Sequence, residues 1–261
     1  MKETRVALLD GGEMFAKEYQ VYWNYPSEAR ISLPSFSVLI DHADGLYLFD
    51  SGFDLGFFQD KVSAADANQT SRQTVPGQLN LLGLHEDKIN YVINSHYHFD
   101  HCGGNKHCRH ATTICHVCEL EAARSPEVFE ARNYADPSFM EPQEPPEPEI
   151  QIYTPRFETL RGDQEIARGL HLIETPGHTL GHYSLLVELS GRRPMLFSGD
   201  ACYSAKGLDS MMMPASHIDP VRGYRSMERL KEIAERLNAE IFFAHDADSY
   251  PGYRKAPYWY E

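Results

Sequence analysis

Residues 94 to 105 read Asn-Ser-His-Tyr-His-Phe-Asp-His-Cys-Gly-Gly-Asn, placing His96, His98, Asp100 and His101 within six positions. Buried imidazoles and carboxylates are costly unless they are paired or bound to a metal, so a chain carrying this string must build a site around it. The preceding run Tyr91-Val92-Ile93-Asn94 is short, apolar and β-branched, the signature of a buried strand. In extended chain His96, His98 and Asp100 point to one side while Tyr97 and Phe99 point to the other. Asp100, His101, Cys102 and the Gly103-Gly104 pair then turn the chain toward a helix start. The cluster is therefore expected on a loop at a strand's carboxyl end, where open α/β sheets hold their chemistry.

Three further segments repeat the pattern of apolar strand followed by ligand-type residue. Gly169 to Thr175 leads into Pro176-Gly177-His178, Pro194 to Ser198 into Gly199-Asp200, and Glu240 to Ala244 into His245. Together they predict one site fed by loops along one rim of a sheet. Five histidines and two aspartates are nitrogen and oxygen donors that suit Zn²⁺, with Mn²⁺, Fe²⁺ or Co²⁺ as alternatives. The natural partition puts His96, His98 and His178 on one metal and Asp100, His101 and His245 on the other. Asp200, with two oxygens, bridges them.

The string His96-x-His98-x-Asp100-His101 with His178, Asp200 and His245 resembles the metallo-β-lactamase superfamily, in particular its lactonase branch. The resemblance covers essentially the whole chain. It implies an α/β fold, a metallo-β-lactamase αβ/βα sandwich with two mixed β-sheets flanked by helices, and two divalent metal ions per chain. Asp200-Ala201-Cys202-Tyr203 is similar to the Asp-x-x-Tyr of N-acyl-homoserine lactonases, which implies that Tyr203 assists the carbonyl and Asp100 moves a proton. Leu8-Leu9-Asp10-Gly11-Gly12, Cys102-Gly103-Gly104-Asn105-Lys106 and His217-Ile218-Asp219-Pro220 resemble 4-pyridoxolactonase. One departure is Ser198-Gly199, where the lactonases carry Thr-Ile. The implied reaction is opening of a cyclic ester, with an N-acyl homoserine lactone as substrate and 4-pyridoxolactone as the alternative. A glyoxalase II-type thioesterase shares the motif but carries a helical domain after the last ligand, whereas 16 residues follow His245. A non-catalytic metal-binding relative would have lost ligands, and all seven are present.

A net charge of −14 opposes binding a polyanion, which disfavours the nucleic-acid-cleaving branches. The amino terminus offers only Val6-Ala7-Leu8-Leu9 as an apolar run, and no stretch approaches a membrane span. The expectation is a cytoplasmic protein acting on a small lactone, with no nucleic-acid or membrane partner; a homodimer is compatible with the sequence. Five cysteines without an export signal argue against a disulfide framework. Cys102, Cys108, Cys115 and Cys118 invite a structural zinc, but buried or surface thiols fit better.

The ligands span His96 to His245, so residues 1–261 are read as one domain. Strands are expected at 4–10, 36–41 and 45–49, the last two joined as a hairpin, with a polar loop at 59–74. Pro76 to Leu84 predicts a short helix with Leu79, Leu81, Leu82 and Leu84 inward. Asp219-Pro220 caps the clearest helix, with Val221, Tyr224, Met227, Leu230, Ala234 and Leu237 as its core stripe. The acidic, proline-rich stretch 125–149 is a solvated excursion or a lid whose contacts would be Tyr134, Phe139 and Met140. Phe53, Phe57, Met211, Met212 and Met213 are candidates to line an apolar channel for substrate.

Overall fold

The computed structural model describes residues 3–61, 66–134 and 156–261. Two mixed sheets face one another. The first contains β1 (Arg5–Lys17), β2 (Arg30–His42), β3 (Gly45–Phe49), β4 (Ala67–Asn68), β5 (Ile89–Ile93), β6 (Thr112–His116) and β7 (Arg156–Leu160), in the order β4-β1-β2-β3-β5-β6-β7. Its β1-β2-β3 meander is antiparallel, whereas β3, β5, β6 and β7 run parallel. The second contains β8 (Gln164–Ala167), β9 (Leu170–Glu174), β10 (Tyr183–Val187), β11 (Met195–Phe197) and β12 (Glu240–Phe242), in the order β12-β11-β10-β9-β8. The helices are α1 (Glu18–Val21), α2 (Leu55–Lys61), α3 (Val75–Leu81), α4 (Phe99–Cys102), α5 (Val117–Arg124), α6 (Ala205–Ser210) and α7 (Pro220–Leu237). None among the described residues is long and apolar enough to cross a membrane.

The central strands β10 and β11 read as near-continuous apolar runs because both faces are covered. On β2, Val38 and Ile40 enter the layer between the sheets, while Leu39 packs outward against Leu79 of α3. On β10, Leu185 and Val187 face the same inner layer and Leu186 meets α7. Each such buried aliphatic side chain contributes about 1.5–3 kcal/mol. The inner layer thereby fixes the sheets against each other, and the strand ends are held at one rim.

Some expected boundaries shift. β1 and β2 are longer than the reading 4–10 and 36–41, because the ladder absorbs Gly11-Gly12 in a register shift between Asp10 and Glu13. The stretch 59–74 is not all loop: it holds the end of α2, the short β4 and a 3₁₀ turn at Ser71–Gln73. α3 stops at Leu81, and of its leucines only Leu79 is wholly buried.

The stripe on α7 is corrected more sharply. Asp219 caps the helix as expected, accepting from the amides of Val221 and Arg222. The buried face, however, is Ser226, Met227, Leu230 and Ile233, while Val221 is 70% exposed and Tyr224 39%. Steps of three residues fall about 60° short of a full turn, so a chain of such steps walks round the helix instead of down one face. Val221 and Leu230 end up on opposite sides.

Of the acidic stretch, Phe139 and Met140 lie outside the described residues. Tyr134 is buried and pairs with His98 in an isolated β-bridge. The cysteines are free thiols; Cys102 and Cys115 pack with Tyr97 and Leu120, and Cys108 with Val75 and Leu79.

Candidate active site

The motif loop begins where β5 ends. Asn94 and Asn105 are buried and pair through their amides at 2.8 Å, and Ser51 donates to Asn105 at 2.7 Å, closing the loop on itself. His98 has extended backbone, with φ −65° and ψ 150°. The single turn α4 then starts at Phe99, so Asp100 does not continue on the His96/His98 side as an extended reading expects. Helical geometry carries Asp100 and His101 to a second group.

Two groups of ligand-type atoms result. His96, His98 and His178 form one; Asp100, His101, Asp200 and His245 form the other, with the offered atoms of each group within 4.8 Å of one another. Asp200 stands between them. Its Oδ2 is 3.2 Å from His178 Nε2 and 3.8 Å from His96 Nε2, while its Oδ1 is 3.0 Å from His101 Nε2 and 3.2 Å from His245 Nε2. Asp100 Oδ2 lies 3.6 Å from His101 Nε2 and 3.5 Å from His245 Nε2.

Most of the rings are held from behind. His96 Nδ1 meets Ser95 Oγ at 2.9 Å, His101 Nδ1 meets Asp50 Oδ2 at 2.8 Å, His178 Nδ1 meets the Ser216 carbonyl at 2.7 Å, and His245 Nδ1 meets the Pro34 carbonyl at 3.0 Å. Each of these four rings thus aims Nε2 inward. His98 instead turns Nδ1 toward His178 Nε2, at 2.9 Å. The His178 loop is set by a close approach: Gly177, at φ +132°, leaves no room for a Cβ, which would fall 2.1 Å from the amide nitrogen of Gly223 on α7.

Burial, then the neighbouring imidazoles, push His96 and His98 well below the usual histidine range, leaving lone pairs free. Burial works the same way on His101 and His245, but Asp200 and Asp100 overcome it and raise both. Asp200 is itself held well below the carboxylate range, burial being outweighed by His101, His245 and His178. The Nε2 atoms of His96 and His98 are buried and form no hydrogen bond. Buried polar atoms are rarely left so, and clustered imidazoles with carboxylates form a donor set for a divalent cation. The residues fit such ions.

Around the two groups, Tyr203 is 9% exposed, its ring centre 6.0 Å from that of His178 and 5.2 Å from that of His245. Burial, then Asp200 and Asp100, push its phenol well above the usual tyrosine range, so it stays a hydrogen-bond donor. His182 is not in either group. Its Nε2 accepts from the Asp200 amide at 2.9 Å and its Nδ1 meets Thr175 Oγ1 at 2.8 Å, so it supports Asp200 through the backbone. Burial lowers it to about 3, and it is a neutral acceptor.

The channel candidates do not gather in one place. Met211 and Met213 pack into the cluster under α7, and Phe53 is buried against Met14 and Phe58. Met212 packs with Tyr203 and Tyr22, and Phe57 faces Phe99 with ring centres 6.4 Å apart. Asp50 is the site residue that sequence reading passed over. It too follows an apolar strand directly, the very pattern that marked the other aspartate and histidines.

A family profile described as the metallo-beta-lactamase superfamily matches residues 31–245. The chain belongs to that superfamily. It is 27% identical over 274 residues to the N-acyl homoserine lactonase AttM of Azorhizobium caulinodans, covering 100% of both chains. To the N-acyl homoserine lactonase AiiA of Bacillus thuringiensis subsp. kurstaki it is 28% identical over 235 residues, covering 87% of each. Among solved structures, it is similar to an N-acyl homoserine lactone hydrolase with the product N-hexanoyl-L-homoserine bound at the catalytic metal center. That likeness has a TM-score of 0.83 at 25% identity and covers 100% of both chains.

Proposed function

We propose that this chain is a metal-dependent lactone hydrolase that opens N-acyl homoserine lactones, the activity that would make it quorum-quenching. The observation that carries the reading is Asp200, whose two oxygens face two different groups of donors and so make one carboxylate common to two cation positions. The names of the relatives supply the substrate class.

His96, His98 and His178 would hold one ion; Asp100, His101 and His245 the other; Asp200 would touch both. Zn²⁺ suits these nitrogen and oxygen donors, with iron, manganese or cobalt as alternatives. Such ions supply Lewis-acid polarisation of the ester carbonyl and make water acidic enough to attack near neutral pH. The chain's own residues do the rest. Tyr203, held protonated, donates to the oxygen that gains charge as the carbonyl is attacked. Asp100, the less enclosed of the two carboxylates in the group, would take a proton from the attacking water and return it to the ring alkoxide. Met212 beside Tyr203, and Phe57 with Phe99 beside the motif, offer apolar surface to an acyl chain.

Both sheets contribute donors, which supports reading residues 1–261 as one working unit. A negatively charged chain with a small-molecule site suits a diffusible lactone, and we place its work in the cytoplasm.

The test is a turnover comparison of homoserine lactones of several acyl lengths, γ-butyrolactone, 4-pyridoxolactone and a glutathione thioester. The reading expects acylated homoserine lactones to be preferred. Preference for 4-pyridoxolactone would change the substrate, and turnover of the thioester alone would change the reaction.

A further inference from the structure

Glu119 has no solvent exposure, yet it belongs to neither donor group. It sits in the first turn of α5, and its two oxygens reach two different ligand loops. Oε1 accepts from the amide of Tyr97, between His96 and His98, at 3.0 Å. Oε2 accepts from the amide of Gly181, three residues after His178, at 3.2 Å. The first loop leaves β5 of one sheet and the second joins β9 to β10 of the other.

The surroundings show how closely the second loop is pressed onto the helix start. A Cβ at Gly181 would fall 2.5 Å from His116 Nδ1 and 2.6 Å from the Glu119 amide nitrogen. His116 caps α5, accepting from the Cys118 amide at 3.1 Å, and its Nε2 meets Glu174 Oε1 at the end of β9 at 2.8 Å. The α5 start is thus wedged between the two loops. Glu119 is a costly residue for simple filling, since burial pushes its carboxyl up to about 7 even though the hydrogen bonds from the Tyr97 and Gly181 amides pull the other way. The backbone amide of Tyr183 donates to the Ser95 carbonyl at 2.9 Å, a second link between the sheets near the site that does not involve Glu119.

We propose that Glu119 is a positioning residue: it ties the His96/His98 loop to the His178 loop and so sets the spacing of the three imidazoles, without itself being a ligand. The inference rests on the metal reading given above. A carboxylate with two acceptors meets both amides. An amide side chain presents an N–H to one of them and loses that bond.

The experiment is zinc titration of metal-depleted wild type, Glu119→Gln and Glu119→Asp against a chromophoric chelator, resolving two dissociation constants. Leu230→Ala, under α7, is the control for lost stability alone. The expected result is that one constant rises about 10–100-fold in both Glu119 variants, the range for groups that orient ligands, while the other stays near wild type. The Leu230→Ala control should keep both constants. Unchanged constants in Glu119→Gln, or the same selective rise in Leu230→Ala, would overturn the proposal while leaving the two-ion site intact. Failure of both Glu119 variants to fold would overturn it in favour of a purely structural role. A wild type that takes up no zinc would remove the metal reading and this inference together.

Discussion

Asp50 Oδ2 stands 2.8 Å from His101 Nδ1, with the carboxylate buried at the end of β3 in a left-handed backbone conformation of φ 55°. The same carboxylate accepts from the Ser95 amide and from Ser95 Oγ, each at 2.8 Å. Asp50 therefore fixes both the start of the motif loop and the ring face that His101 turns inward. Asp50→Asn is expected to weaken metal binding about 10–100-fold, as for other carboxylates that orient ligating histidines. Zinc content after dialysis against a weak chelator checks this, and a variant with wild-type content would contradict it.

Tyr203 has a different part. Tyr203→Phe keeps the ring against His178 and His245 but removes the donor. The expected loss in kcat is about 10²–10³-fold, as for removal of an oxyanion donor, with KM little changed. Metal content should match wild type. A raised KM at constant kcat would assign the phenol to substrate binding instead.

Leu230 is fully buried between α7 and the second sheet and touches no donor group. Leu230→Ala should cost about 2–5 kcal/mol of stability, from lost burial and the cavity left behind. Denaturant unfolding at fixed metal content measures it. A loss below about 1 kcal/mol would mean that the helix collapses onto the gap.

The Asp54–Lys106 pair ties the segment after β3 to the turn that follows the motif. Burial pushes the Asp54 carboxyl up, but hydrogen bonds from Lys106 and the Phe57 amide outweigh it, and the net shift is downward. A lowered folded-state value stabilises above the unfolded carboxyl pKa, about 3.9, and the benefit is lost as pH falls through the folded value. Lys106→Met should therefore be less stable than wild type near pH 7, by no more than about 1 kcal/mol for so exposed a lysine. The gap should be smaller at about pH 2 than at pH 7, because the Asp54 carboxyl is then more protonated. Thermal midpoints at the two pH values test it; an equal gap at both would contradict it.

The seven ligand-type residues that gather in the two groups were legible because their pattern is local: each lies on a loop that follows an apolar strand, and strand ends gather on one rim. Their division into two groups was legible as chemistry, but the turn at α4 that separates Asp100 from His98 is a backbone event that alternation alone does not show. Asp50 carried the same strand-then-aspartate signal and was readable in principle. Glu119 was not, because a glutamate in the first turn of a helix is ordinary and only tertiary contact brings it to both loops. The α7 stripe failed for a geometric reason, since apolar residues three apart drift around the helix. Met211, Met212 and Met213 look alike in sequence, yet the left-handed residue Met211 ends α6 and sends its neighbours to different clusters.

The central claim is tested most directly by adding zinc stepwise to metal-depleted protein while following the opening of an N-acyl homoserine lactone. The account predicts that the rate rises from near zero and levels off at two ions per chain. Lactone opening that is undiminished in fully depleted protein, or absent at every zinc ratio, would contradict it.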